Sequence, residues 1–311
     1  MKNIVFMGTP SYASKILEEI YKAKFNILAI YTQPDKPVGR SQALTPPDVK
    51  KLAIDLGLND IVYQPKSLKD SGVKEHIKSL NPDIIIVAAY GQILPRDILD
   101  IAPCVNLHAS ILPAYRGASP IQSAILDKNS LSGITAMAMN EGLDSGDILA
   151  FSILDITGMN SYELFDKLSI MAANLTIKVL NEYKNISPIK QFDALSSKCK
   201  KIKKDDGLVD FSVDSASQIW AKFLAYYGWP GIFTKNGIKI LDMEVANLNG
   251  GIGEILSIND NGFVVGVNNG SILIKTLQAA GKKSVDAKSY LNGKRLGVGD
   301  RVYLWVSIDA N

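Results

Sequence analysis

The chain has 311 residues, 47% of them hydrophobic, and a formal charge of +3; that is enough for one large or two ordinary domains with buried cores, and a charge that permits a nucleic-acid partner without requiring one. Its two cysteines lie far apart with no CxxC or Cys/His spacing, so neither a disulfide framework nor a bound metal is expected. MKNIVFMGTP lacks the apolar core of a signal peptide and no run reaches the roughly 18 apolar residues of a membrane helix, which points to a cytoplasmic protein with no membrane partner.

In chain order, short apolar runs predict strands over Asn3–Met7, Asn26–Tyr31, Asp83–Ala88, Cys104–His108 and Ile134–Met139. Helical periodicity falls between and after them, over Tyr12–Ala23, Pro47–Leu56, Ser71–Leu80, Pro120–Leu126 and Tyr162–Tyr183. This alternation predicts an α/β domain, a doubly wound and mostly parallel Rossmann-like sheet, over residues 1–187. Near Asn185 the pattern gives way to proline, serine and lysine, so 188–206 reads as a linker. A short helix over Ser215–Ala225 and glycine-punctuated β-branched runs, ending in GDRVYLWV, then predict a small β-barrel over 207–311.

Ligands in such sheets bind beyond the carboxyl ends of strands. Asn106 and His108 stand two apart in CVNLHAS, so a strand would point both to one face. The glycines of NEGLDSGDI allow a tight loop that could bring Asp144 toward the same edge. Histidine exchanges protons near neutral pH, an Asn amide donates to developing negative charge, and a carboxylate can orient the imidazole. Such a set suits direct acyl transfer to an amine, because no Ser or Cys elbow accompanies it. A lone histidine in an apolar strand is more often a satisfied core residue, and spacing alone leaves both readings open. His76, in an amphipathic helical pattern, reads as a surface residue. The MGTP turn is not GxGxxG, so no nicotinamide is implied.

Four segments, MGTPSYAS at 7–14, VAAYGQILP at 87–95, NLHASILPAYRGASPIQSAI at 106–125 and GITAMAMNEGLDSGDI at 133–148, resemble in content and order the formyltransferases that use 10-formyltetrahydrofolate. TQPDKPVGR at 32–40, VDFSVDSASQIWAKFLAYYGWPGIFT at 209–234 and LQAAGKKSVDAKSYLNG in the tail are similar to the branch of that family that acts on methionyl-tRNA. The resemblance implies that Asn106, His108 and Asp144 are catalytic. It implies folate contacts at Ser110, Ile111, Leu112 and Pro113, where Ile111 replaces a usual leucine, and a further pocket wall near Tyr90 and Ile93. It also implies an oligonucleotide-binding-like terminal domain and initiator methionyl-tRNA as the formyl acceptor, with 10-formyltetrahydrofolate as co-substrate; a monomer is expected.

The family's loop after Gly-Arg is usually basic, whereas GRSQALTPPDVK has no lysine directly after Arg40. Lys36 and Arg40 therefore remain as its candidates for phosphate contact. Lys198, Lys200, Lys201, Lys203 and Lys204, with Lys282, Lys283, Lys294 and Arg295, are further candidates, against the alternative of a solvated surface.

Overall fold

Runs of β-branched and aliphatic residues, buried along their length, build the centre of a seven-stranded sheet. The computed structural model describes residues 2–39 and 42–302. The chain separates into two units, residues 1–121, 130–156 and 163–200 forming the first and residues 122–129, 157–162 and 201–311 the second.

Strand β1 (Asn3–Gly8) leads into helix α1 (Ser11–Lys22) and β2 (Asn26–Tyr31). A small hairpin, β3 (Lys36–Val38) and β4 (Ala43–Thr45), precedes α2 (Asp48–Asp55), β5 (Val62–Tyr63), α3 (Val73–Ser79), β6 (Ile84–Ala88), α4 (Arg96–Leu99) and β7 (Cys104–His108). Next come β8 (Arg116–Gly117), α5 (Pro120–Leu126), β9 (Leu131–Ala138), β10 (Ile148–Asp155), α6 (Ser161–Glu182) and β11 (Lys198–Cys199).

The main sheet runs β10-β9-β7-β6-β1-β2-β5. β5, β2, β1, β6 and β7 are parallel, and β9 and β10 antiparallel. The chain leaves β1 toward β2 and then crosses to β6, so the order reverses between β1 and β6, the position where doubly wound sheets open a binding crevice. The Thr9 hydroxyl donates to the Tyr90 carbonyl across it at 2.8 Å. On one face Met7, Tyr31, Ile77, Ile85, Val87 and Ile98 pack into a core, each fully buried side chain of this size contributing about 1.5–3 kcal/mol. α1 turns Tyr12, Ala13, Ile16, Leu17 and Ile20 inward, the spacing of an amphipathic helix.

In the second unit, β12 (Leu208–Val209) precedes α7 (Ala216–Ala225), whose Ser215 and Gln218 form a reciprocal capping box. The strands β13 (Ile232–Thr234), β14 (Lys239–Ala246), β15 (Ile255–Asn259), β16 (Gly262–Gly266) and β17 (Ser271–Gln278) follow. Their sheet runs β12-β13-β14-β17-β16-β15, with β18 (Val285–Asp286) on β17 and α8 (Ala287–Lys294) after it. The second half of the terminal GDRVYLWV run, from residue 303 on, lies outside the described residues.

The segment read as a linker is not free as far as Lys200. Ile189 pairs with Ile148 through two hydrogen bonds of 2.8 Å, and β11 pairs in parallel with β8, so residues 189–200 belong to the first unit. β10 was not expected: Phe151 and Ile153 point outward from this edge strand, 53% and 50% exposed, so its apolar residues do not mark one buried face.

Candidate active site

β7 lies between β6 and β9, and on it Asn106 and His108 share one face. His108 is buried and Asn106 half-buried. Asp144 reaches them from the glycine-flanked loop after β9, by a backward course that the sequence leaves open. β9 runs antiparallel to β7, so its end lies beside the start of β7, where the Met139 amide donates to the Cys104 carbonyl at 2.8 Å. The loop 139–147 must therefore fold back along β7. Asp144 takes a left-handed conformation in it, φ 49°, which aspartate tolerates better than most residues.

Three groups meet the Asp144 carboxylate. The Gly117 amide donates to Oδ2 at 2.9 Å, Asn106 Nδ2 donates to Oδ1 at 3.4 Å, and His108 Nδ1 stands 3.7 Å from Oδ2. The other imidazole nitrogen, His108 Nε2, lies 2.9 Å from the Tyr115 carbonyl. A carbonyl only accepts, so Nε2 carries the proton and Nδ1 is the basic nitrogen of the neutral ring. A proton taken up there faces the carboxylate. Gly117 has φ 126°, and a Cβ on it would collide with the Cys199 carbonyl, so only glycine lets β11 lie this close.

The Ser110–Pro113 loop is fixed from below by Thr135, which is fully buried. Its hydroxyl donates to the Ser110 carbonyl at 2.7 Å and accepts from the Leu112 amide at 3.0 Å. Of the four residues expected to touch folate, Ser110 and Leu112 are buried in the protein, and the Ser110 hydroxyl donates to the Ala114 carbonyl at 2.6 Å. Ile111 and Pro113 are half-buried and remain accessible.

The Tyr90 side chain is not at the site. It sits in the core with Met7, Tyr31, Leu68 and Leu94, because the chain turns through Ala89, at φ 44°, directly after β6, and burial pushes its phenol up to about 12. Only its main chain borders the crevice, beside the exposed Ile93. Lys36 is exposed on β3, opposite Thr45 in the hairpin, while Arg40 lies outside the described residues. The hairpin is followed by a polar brace in which Lys50 contacts Asp35 at 2.9 Å and Gln64 Nε2 donates to Asp35 at 2.7 Å; these hydrogen bonds, that from Gln64 foremost, hold the Asp35 carboxyl below its ordinary range. The clustered lysines at 198–204 and Lys282, Lys283, Lys294 and Arg295 are all exposed.

Tyr115, Arg116 and Thr135 lie within segments that carry the resemblance, yet neither they nor Gln191 stand out in the sequence as residues that shape the site. Tyr115 acts through its carbonyl, and Thr135 reads as one polar residue in an apolar strand. Arg116 reads as a charge beside a glycine, and Gln191 lies in a polar stretch without periodicity.

A doubly wound sheet that gathers a histidine, an amide donor and a loop carboxylate at one place offers the groups that direct acyl transfer uses. Residues 1–180 match the formyl transferase family, and residues 201–295 match the formyl transferase C-terminal domain. A methionyl-tRNA formyltransferase from Campylobacter fetus is 60% identical over 302 residues, covering 97% of this chain and 99% of that one. The chain belongs to the formyl transferase family, among its methionyl-tRNA formyltransferases. Two solved structures share the fold. WlaRD, a sugar 3N-formyl transferase solved in the presence of dTDP and 5-N-formyl-THF, superposes with a TM-score of 0.66 at 20% identity, covering 91% of this chain and 99% of that one. The methionyl-tRNA formyltransferase of Clostridium thermocellum gives 0.56 at 21% identity, covering 79% and 94%.

Proposed function

We propose that the chain moves the formyl group of 10-formyltetrahydrofolate to the free amino group of the methionyl moiety on initiator methionyl-tRNA. Residues 1–187 carry the chemistry and residues 207–311 bind tRNA. The observation that carries this reading is the Asn106–His108–Asp144 cluster, in a chain so similar to a protein named for that reaction.

An α-amino group has a pKa of about 8 and a lower one beside an ester, so a useful fraction is neutral at pH 7. Its nitrogen attacks the formyl carbon and the carbonyl oxygen becomes an oxyanion, which the second N–H of the Asn106 amide stabilises. The nitrogen then sheds a proton to His108 Nδ1, where Asp144 favours the imidazolium. The carbon–nitrogen bond to the folate breaks, and the same proton passes to the leaving folate nitrogen, so no proton is gained or lost overall.

Ile111, Pro113 and the main chain at Tyr90 form one wall for the folate, with Ser110 and Leu112 shaping the loop beneath. Lys36 and Arg40 contact tRNA phosphates.

The test supplies charged initiator and elongator methionyl-tRNA with 10-formyltetrahydrofolate and measures formylmethionine after ester hydrolysis. Formylation of the initiator species is expected. Formylation of neither overturns the reading.

A further inference from the structure

Residues 181–200 fall between the two family matches, which end at 180 and resume at 201. Yet Gln191 in that stretch is 5% exposed, and all three arms of its amide are engaged. Nε2 donates to the Asp144 carbonyl at 2.9 Å and to the Gly146 carbonyl at 2.7 Å. Oε1 accepts from Arg116 Nε at 3.0 Å. The amide cannot be turned over, since its oxygen faces a donor-only guanidinium and its nitrogen faces carbonyls. Arg116, itself buried, sends Nη2 to Asp193 at 2.8 Å.

A second set of contacts ties the same stretch to the far side of the imidazole. Ser197 Oγ accepts from the Tyr115 amide at 2.9 Å, and the Ser197 carbonyl accepts from the Arg116 amide at 2.9 Å. Tyr115, held at φ 61°, is the residue whose carbonyl accepts the hydrogen bond from His108 Nε2–H. One strap therefore fixes the main chain of Asp144 from one direction and that of Tyr115 from the other. These are the two residues that face the nitrogens of His108.

We infer that residues 189–200 are a working part of the active site, with Gln191 as the positioning residue that sets Asp144 against His108. Ser197 does the same for Tyr115. Neither touches the reacting atoms; both act through main-chain groups. The inference rests on the proposed reaction for its kinetic readout, but not for its spectroscopic one.

The full chain is compared with Gln191→Leu, which removes the fork, and Gln191→Glu, which keeps an acceptor for Arg116 but sets an oxygen against two carbonyls. A displacement of a catalytic group by about 1 Å costs on the order of 100-fold. The expected result is a kcat lowered between about 10- and 100-fold, with KM for 10-formyltetrahydrofolate within about threefold of the wild type. The two-bond nitrogen–proton signals of the imidazoles are recorded in parallel. The chain has two histidines, so His76 serves as the internal control; the His108 signals move and those of His76 stay. Ser197 is exposed, so Ser197→Ala supplies the same readouts should a Gln191 variant not fold. Folded variants with wild-type kcat and unmoved His108 signals overturn the inference. A wild-type chain that formylates nothing defeats the proposed reaction instead, while the ring signals still report on the strap.

Discussion

His108 donates a hydrogen bond from Nε2–H to the Tyr115 carbonyl at 2.9 Å, and so turns its basic nitrogen, Nδ1, toward Asp144. Asp144→Asn reverses the polarity of that facing group. The new NH2 group is set against either the Gly117 amide or Asn106 Nδ2, both donors, and the imidazolium loses its charged partner. A fall in kcat on the order of 10,000-fold is expected, as when a carboxylate orienting a catalytic histidine becomes an amide. Steady-state kinetics on charged initiator tRNA measure it, and a loss smaller than tenfold contradicts the role given to the carboxylate.

Asn106→Ala removes the amide donor and the 3.4 Å contact with Asp144 together. The loss of one oxyanion donor lowers kcat on the order of 100-fold. Folate binding, followed by equilibrium titration, is expected to survive, because the Ser110–Pro113 loop is held by Thr135 and not by Asn106.

Thr135→Val conserves shape but strips the hydroxyl. The buried Leu112 amide and Ser110 carbonyl then lose a partner each, at about 1–3 kcal/mol for a buried group left unpaired. Thermal unfolding is expected to show a lower Tm, and KM for the folate is expected to rise several-fold while kcat changes less. An unchanged Tm would contradict the bonding described for Thr135.

Burial holds the Cys104 thiol neutral and pushes its pKa up to about 12, whereas an unfolded thiol ionises near 8.5. Above that value the unfolded chain has lost a proton that the folded chain keeps, so stability falls as pH rises. The decline is about 1.4 kcal/mol per pH unit until the folded thiol itself ionises. Denaturant titrations at pH 7.5 and 9.5 check the sign, and Cys104→Ala is expected to flatten the dependence, leaving only what the tyrosines and lysines contribute.

Much of the first unit was legible because its central strands are buried on both faces and its helices alternate with them. β1, β2, β6 and β7 all announce themselves in this way, as do Asn106 and His108 through their spacing of two. Elsewhere burial and periodicity part company. β5, β8 and β11 are two residues long, too short to show any period, and the hairpin of β3 and β4 is exposed along much of both strands. The approach of Asp144 depends on β9 being antiparallel, a property of pairing and not of composition. The resemblance sets Tyr90 near the pocket through the segment around it, whereas the turn at Ala89, which no strand pattern shows, sends its side chain to the core. Gln191 was invisible because its partners are main-chain carbonyls almost fifty residues away, which leave no mark on the sequence around it.

The strap also determines where such a protein can be recombined. A chimera that exchanges second domains at a seam near residue 185 would import a foreign counterpart of Gln191 and Ser197, and so alter the catalytic unit while meaning to alter only its neighbour. A seam just after Lys200 keeps the donor's residues clear of Asp144 and Tyr115. The heritable module of chemistry in this chain is thus longer than the domain that a family match alone would cut out.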